Sequence, residues 1–190
     1  MTLQVSPDAS VRAADPDDAG RLIFYYRSSR MYSALLDQRR EPVMATRDEL
    51  AEMLAGKDRL GGQLFALMDR SGSVIGFGGL RGASLENLTG EVFLLLRDDS
   101  DYAASSARGM LAFLLDRALG RMHLNKVLAV GLVEEEDGWR TLLRETGFHS
   151  CGVQRQIVYA RGRWFDLETL TLKQETWLNA VQHGPLPAAG

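Results

Sequence analysis

Residues 91–133 read EVFLLLRDDSDYAASSARGMLAFLLDRALGRMHLNKVLAVGLV, and this stretch decides the fold. The segment from Glu91 to Leu96 is apolar enough for a buried strand, and a short polar loop follows it. Apolar residues then recur at helical spacing to about Arg121, before a second apolar segment at Lys126–Val133. The order predicts a strand, a helix and another strand. Because the loop leads into a helix N-terminus, its free N–H groups and the positive end of the helix dipole suit a phosphate or pyrophosphate.

The flanking sequence predicts further elements of a single α/β domain. Val11–Ala13 is a short strand, and apolar residues recur at helical spacing from Leu22 to Leu36. Thr46 and Glu49 have the spacing of a capping box, which predicts a helix to about Leu54. Later elements are a hairpin (Leu64–Met68 with Val74–Leu80), a helix (Gly138–Thr146) and a final hairpin (His149–Ala160 with Trp164–Leu172). We predict one domain over residues 1–180 and a disordered tail at residues 181–190.

Composition limits the classes of function. A chain of 190 residues with 45% hydrophobic content can bury one sizeable core, and a net charge of -3 gives no reason to expect a nucleic-acid partner. The polar, acidic N-terminus is unlike a signal peptide, and no apolar run approaches the roughly 20 residues of a membrane helix. We expect a cytoplasmic protein without a membrane partner. The spacing of His and Cys residues predicts no metal site, and Cys151 is expected to be a buried strand residue rather than a nucleophile.

The layout and three short motifs resemble the GNAT acyltransferase superfamily, in particular its RimJ/RimL-like branch. Leu124–Val127 (LNKV) is similar to the branch's L-H/N-K/R-V, Gly147 and Phe148 close a helix as in the family, and Trp164–Asp166 resembles its G-x-W/Y-x-D segment. The resemblance covers roughly residues 11–178. It implies an α/β (α+β) GNAT fold, with a bent, mixed, mostly antiparallel sheet of six to seven strands and helices on both faces. The parallel strands around the central helix would splay apart to admit the donor's pantetheine arm.

The family's pyrophosphate loop, Arg/Gln-x-x-Gly-x-Gly/Ala, aligns with Tyr102–Ala107 (YAASSA). Only the last position matches, since Tyr102 replaces the basic or amide residue and Ser105 replaces the central glycine. Small residues persist, so backbone N–H groups and serine hydroxyls remain possible donors to a phosphate. The resemblance implies that the acyl donor contacts a continuous group of five residues, Ser105, Ser106, Ala107, Arg108 and Gly109.

The helix that ends at Gly147 departs from the family pattern N-x-x-S/A-x-x-x-Y-x-x-x-G-F. Glu136 stands at the asparagine position, Trp139 at the small-residue position and Leu143 at the tyrosine position. In the family the tyrosine protonates the departing thiolate, and Leu143 has no proton to give. The resemblance still implies that Glu136 and Trp139 lie beside the donor. Trp139 either lines a reshaped channel or packs in the core.

Glu91 matches the glutamate of the branch's A/G-E-I/L-G-Y segment, although Phe93 replaces its glycine. The resemblance implies that Glu91 is catalytic and takes the proton of the attacking amine directly or through water, since an ammonium has no lone pair. If the backbone bulges beyond Glu91 as in the family, groups of Leu94 and Leu96 would bind the pantetheine amides like an added strand.

These resemblances imply an N-acyltransferase with acetyl-CoA or another acyl-CoA as co-substrate. The acceptor would be an amine of a small molecule or a protein N-terminus, and the protein a monomer or homodimer. Two alternatives stay open because the loop and the tyrosine position are altered. One is an acyltransferase whose donor is an acyl-phosphopantetheine on an acyl carrier protein, and the other is a catalytically dead GNAT-fold binding protein.

Overall fold

The computed structural model describes residues 2–28, 46–55, 62–84, 86–133, 138–160 and 162–183. The strands within these residues form one eight-stranded sheet, one or two strands larger than expected. They are β1 (Thr2–Ser6), β2 (Ala9–Ala13), β3 (Gly62–Asp69), β4 (Val74–Ser84), β5 (Thr89–Leu96), β6 (Lys126–Leu132), β7 (His149–Ala160) and β8 (Arg163–Lys173). The architecture is the mixed α/β arrangement around one sheet that the sequence predicted.

Five α-helices are described, and short 3-10 turns precede two of them. The helices are α1 (Ala19–Ser28), α2 (Arg47–Ala55), α3 (Ser105–Leu115), α4 (Gly138–Glu145) and α5 (Gln174–His183). The 3-10 turns are Pro16–Asp18 and Asp99–Ala103, and a π-helical segment, Asp116–Arg121, continues α3. Residues 29–45, which include the end of the predicted Leu22–Leu36 helix, lie outside the described residues, as does most of the predicted tail.

The sheet order is β1-β2-β3-β4-β5-β6-β8-β7. All neighbours pair antiparallel except β5 and β6, which are parallel because α3 carries the chain from one to the other. Such central strands are buried on both faces, which explains the unbroken apolar run Val92–Leu96. The core extends from this run to α3, where Met110, Leu111, Leu114 and Leu115 are buried at helical spacing.

An ion pair fixes the start of α1. The carboxylate of Asp18 is almost fully buried and accepts two hydrogen bonds from Arg12, at 2.6 and 2.8 Å, together with one from the backbone N–H of Asp15. Burial would raise the pKa of Asp18, but these hydrogen bonds and the charge of Arg12 bring that pKa below its ordinary value. This contact joins the N-terminal strand β2 to the helix that covers one face of the sheet.

The structure departs from the sequence analysis in two local features. The register of β4 and β5 is unbroken from Glu91 to Leu96, and the irregularity lies instead between Arg81 and Ser84 on β4. The bulge that was the condition for the donor contacts of Leu94 and Leu96 is therefore absent from this strand pair. Cys151 is exposed rather than buried, because it lies on the edge strand β7, and its sulfur is 3.1 Å from the Thr171 hydroxyl oxygen.

Candidate active site

The strands β5 and β6 separate after a short parallel pairing. Thr89, Gly90 and Glu91 face Lys126, Val127 and Leu128, and Glu91–Leu128 is the last pair. Beyond it β5 stays paired with β4 as far as Leu96, and β6 stays paired with β8 as far as Leu132. The two strands are therefore each held on their outer side while a gap opens between them. Glu91 lies at the closed end of this gap.

The backbone groups that face the gap follow from the alternation of a strand. The carbonyl of Leu88 accepts hydrogen bonds from Asn125 and Lys126, so alternate carbonyls from Leu88 through Leu94 point toward β6. On β6 the N–H of Val133 bonds to Asp166 on the β8 side. The backbone N–H and carbonyl groups of the even-numbered residues of β6, including Val130, therefore point toward β5. Leu94 and Val130 thus present their carbonyl oxygens to the gap from opposite sides.

Two aromatic side chains occupy the gap at these carbonyls. The Tyr102 hydroxyl donates to the Leu94 carbonyl oxygen at 2.9 Å, and the Trp139 ring N–H donates to the Val130 carbonyl oxygen at 3.0 Å. The two rings lie against each other with centroids 5.8 Å apart, and both side chains are buried. A continuous aromatic bridge therefore joins β5 to β6 where the strands no longer pair.

Glu91 projects from the sheet on the face opposite α3. A methyl group added at Gly78 would meet Met110 and Leu114 of α3 as well as the Leu94 side chain, so Leu94 faces α3. Side chains alternate along a strand, and Glu91, three residues earlier, therefore faces away from α3. On that face the Phe77 ring packs against Tyr25 of α1. A molecule on the α1 side of the sheet could approach Glu91 without passing α3.

An arginine on the neighbouring strand orients the Glu91 carboxylate. Arg81 is the cross-strand partner of Glu91, and its Nη2 donates to the carboxylate Oε1 at 2.5 Å. The Arg81 guanidinium also lies over the ring of Phe93, 5.6 Å from the centroid. The Glu91 side chain is 20% exposed, so the carboxylate is held in place and still reaches solvent. A carboxylate with a fixed orientation and an open side can accept a proton.

The five residues expected at the donor phosphate have different surroundings. Ser105 is exposed and Ser106 half-buried at the first turn of α3, whose N-cap Ala104 supplies no side-chain acceptor to the free N–H groups. The Ala107 side chain is buried. Arg108 forms an ion pair with Glu145 of α4 at 2.6 Å, and Gly109 packs directly on the backbone of Val5. Ser105 and Ser106 are therefore the polar side chains that the first turn presents, whereas Arg108 is paired with Glu145 of α4.

The helix α4 presents apolar side chains at the small-residue and tyrosine positions of the family pattern. Leu143 is fully buried, and Trp139 reaches the gap as described above. Glu136 lies outside the described residues. A buried carboxylate on β8 fixes this helix, since Glu168 accepts hydrogen bonds from Arg140 and Arg144, each at 2.7 Å. Burial would raise the pKa of Glu168, but hydrogen bonds from Arg140 and Ser150 and the two arginine charges bring that pKa below its ordinary value.

Two residues of this site were missed by sequence reasoning. Tyr102 was considered only as the loss of a loop residue, and nothing in its neighbours indicates a hydrogen bond to Leu94. Arg81 was not considered, and only the register of β4 and β5 pairs it with Glu91. Among the described residues, no group of three or more His, Cys, Asp or Glu side chains has the arrangement of a metal site. None of the described helices is long and apolar enough to cross a membrane.

Solved structures share this architecture. A structure described as a probable acetyltransferase superposes with a TM-score of 0.74 and 22% identity, covering 93% of this chain and 99% of the other. Mutant forms of the spermidine/spermine N-acetyltransferase SpeG from Vibrio cholerae superpose with a TM-score of 0.77 and 18% identity, covering 93% of this chain and 99% of the other. The ribosomal-protein-S5-alanine acetyltransferase from Vibrio fischeri superposes with a TM-score of 0.72 and 19% identity, covering 93% of this chain and 98% of the other. At these identities the similarity shows the fold alone.

The sequence itself supplies the assignment to a family. A search of curated proteins finds no match to the chain. In contrast, the family described as "Acetyltransferase (GNAT) domain" matches residues 11–168, which is most of the chain and includes β5, α3, β6 and α4. The protein therefore belongs to the GNAT acetyltransferase family and is an acyltransferase.

Proposed function

We propose that this protein is an N-acyltransferase of the RimJ/RimL-like branch, with Glu91 as its base. The donor is a pantetheine thioester, acetyl-CoA or another acyl-CoA, and the acceptor is an amine of a small molecule or of a protein N-terminus. Structural neighbours described as acting on spermidine or on ribosomal protein S5 alanine support an amine as the acceptor. The donor would lie in the gap between β5 and β6, and the amine would approach from the α1 face.

The reaction needs one bond made, one bond broken and one proton removed. The amine nitrogen attacks the thioester carbonyl carbon, a C–N bond forms and the C–S bond breaks. The proton of the amine passes to Glu91, directly or through water, and the thiolate leaves and takes a proton from solvent. Leu143 cannot supply that last proton. A thiol has a pKa near 8.5, so its thiolate is stable enough to leave without a dedicated acid.

The observation that carries the proposal is the position of Glu91. Its carboxylate lies at the last residue pair before β5 and β6 separate, is oriented by Arg81, and faces the side of the sheet away from α3. A base must be within hydrogen-bond reach of the attacking amine, and a thioester drawn into the gap would bring its carbonyl toward this closed end. The free N–H groups at the start of α3 would hold the donor phosphate at the other end.

Replacing Glu91 with glutamine tests the proposal. The change keeps the size of the side chain but removes its basicity, so kcat should fall by roughly 100-fold while donor affinity stays within about twofold. Glu86→Gln is the matched control, because Glu86 is an exposed glutamate in the turn that precedes β5. Near-full turnover by Glu91→Gln would assign Glu91 a structural role and contradict the proposed base.

A second candidate donor is an acyl-phosphopantetheine on an acyl carrier protein. Two observations favour it: Tyr102 replaces a basic or amide residue and turns into the gap, and Arg108 pairs with Glu145. Both leave fewer contacts for the pyrophosphate of CoA than the family pattern provides. A carrier-bound arm has a single phosphate, and the carrier would supply binding energy through protein contacts. Comparing kcat/KM for one acyl group on both donors decides between them, since a tenfold preference for the CoA ester excludes the carrier.

A further inference from the structure

The proposed path of the donor and the aromatic bridge require the same space. A thioester arm that ran along β5 would need the backbone groups that face the gap, and the Leu94 carbonyl there accepts the Tyr102 hydroxyl. Tyr102 is only 5% exposed and its ring packs against Trp139, so the side chain fills the volume beside that carbonyl. A donor and the Tyr102 side chain in this conformation cannot occupy the β5 side of the gap together.

The two side chains of the aromatic bridge, Trp139 and Tyr102, belong to elements that are anchored to different degrees. Trp139 belongs to α4, which is tied to the sheet by the buried Glu168 through Arg140 and Arg144, and by the buried Leu142 and Leu143. Tyr102 belongs to the five-residue 3-10 turn Asp99–Ala103, whose neighbouring side chains are exposed. Releasing Tyr102 breaks its hydrogen bond to Leu94 and its contact with the Trp139 ring and exposes a buried side chain, but it disturbs only a short turn. Releasing Trp139 would disturb a helix anchored by ion pairs.

We propose that Tyr102 is the gate of the donor channel. With the gap empty of donor, its ring and hydroxyl close the β5 side. A bound pantetheine arm displaces the ring, and an amide N–H of the arm replaces the hydroxyl at the Leu94 carbonyl. Trp139 remains on Val130 as the opposite wall of the channel. This gate rests on the proposed function, since it opens for the donor of that reaction.

The contact between the turn and α4 limits how the gate opens. A methyl group added at Gly138 would lie 3.1 Å from the Tyr102 Cβ and closer still to the Asp99 carbonyl oxygen. The backbone of the turn is therefore in direct contact with the start of α4 and cannot move inward. The ring can leave the gap by rotating about its side-chain bonds or by moving outward with its turn.

Removing the Tyr102 hydroxyl tests the gate by calorimetry. Tyr102→Phe keeps the ring for folding but loses the bond that donor binding must break, so acetyl-CoA should bind two- to tenfold more tightly. Tyr25→Phe is the matched control, because the Tyr25 hydroxyl also donates to a backbone carbonyl, that of Val74 at 3.1 Å, on a different strand. It should leave the donor affinity unchanged. A second arm repeats the titration with an acetyl-phosphopantetheine carrier protein.

Fluorescence of Trp139 provides an independent readout in protein that retains Tyr102. The variant Trp164→Phe/Trp177→Phe leaves Trp139 as its single tryptophan. Saturating donor should change the emission of Trp139 and its quenching by acrylamide, because the Tyr102 ring 5.8 Å away is displaced. Both the tighter binding and the fluorescence change are expected.

The outcomes separate the gate from the proposed function. If a donor binds with the same affinity to the parent protein and Tyr102→Phe, or binds without changing Trp139, the gate is refuted and the acyltransferase proposal stands. If neither donor binds to the parent protein, to Tyr102→Phe or to Tyr102→Ala, both are refuted.

Discussion

Gly109 allows β1 to lie directly on α3, and Gly109→Ala should separate them. An added methyl group would lie 2.9 Å from the carbonyl carbon of Val5, closer still to its oxygen, and 3.3 Å from its Cβ. Backbone atoms cannot rotate away, so β1 must shift by several tenths of an ångström or more. Because the clash is with backbone atoms, we expect a cost of about 2–3 kcal/mol, in the upper part of the usual range for overpacking. Alanine improves helix propensity by about 1 kcal/mol, so we expect a net loss of about 1–2 kcal/mol in the free energy of unfolding.

Chemical denaturation of Gly109→Ala and of Gly20→Ala measures this effect against a matched control. Gly20 lies in α1, where an added methyl group would meet only the Arg47 side chain at an ordinary 3.8 Å. Gly20→Ala should therefore be neutral or stabilise the protein by up to about 1 kcal/mol. The donor affinity of the folded Gly109→Ala protein should fall less than threefold, because Gly109 packs on β1. If Gly109→Ala matched the parent in stability and lost donor binding, Gly109 would be a donor contact and our account of its packing would be wrong.

Two further predictions concern charges near the site. Glu168→Gln should lower the free energy of unfolding at pH 7 by about 2–3 kcal/mol, because two arginines lose their buried partner. Since the folded-state pKa of Glu168 lies below its unfolded value near 4.3, its contribution is complete above that pH and is lost as the pH falls through the folded pKa. The stability difference in urea between parent and variant should therefore shrink below pH 4, and a constant difference would contradict this explanation. Ser106→Glu should weaken donor binding at least tenfold in calorimetry, because the added negative charge repels the donor phosphate. Ser71→Glu, in the exposed β3–β4 turn, should leave the affinity unchanged. If both variants bound the donor equally well, the phosphate would not bind at the start of α3.

The sequence predicted the central part of the fold because packing there follows simple patterns. Leu124 and Val127, the apolar residues of the LNKV motif, are fully buried, since the motif leads into a central strand covered on both faces. The final hairpin was also predicted, with β7 matching its expected bounds and β8 one residue longer at each end. Alternation and turn residues are local signals, and they were sufficient for these elements.

Other elements depend on contacts between distant residues. The strand β1 contains only two large apolar residues, Leu3 and Val5, and it is stabilised by β2 and by the close approach to Gly109. The π-helical segment at the end of α3 has no distinct apolar period, and the chain after β8 forms α5, whose Trp177 packs on Gly120. None of these contacts is visible in a local pattern.

The sequence predicted only part of the candidate site, because the rest also depends on contacts between distant residues. Glu91 and the start of α3 follow from motifs, but the bridge in the gap depends on where Leu94 and Val130 lie in space. The loss of a family residue at position 102 was clear from the sequence. The position of this tyrosine in the gap between β5 and β6 could be seen only from the positions of both strands.

Transfer of the acyl group from a thioester to an amine is the most direct test of the central claim. Purified protein would be incubated with acetyl-CoA labelled in the acetyl group, or with the same group on a carrier protein, and with a polyamine or a peptide bearing a free N-terminal alanine. Our account predicts that label appears in an acid-stable amide in proportion to the thiol released, and that Glu91→Gln slows this by roughly 100-fold. Thiol release without amide, or no transfer from either donor to either acceptor, would contradict it.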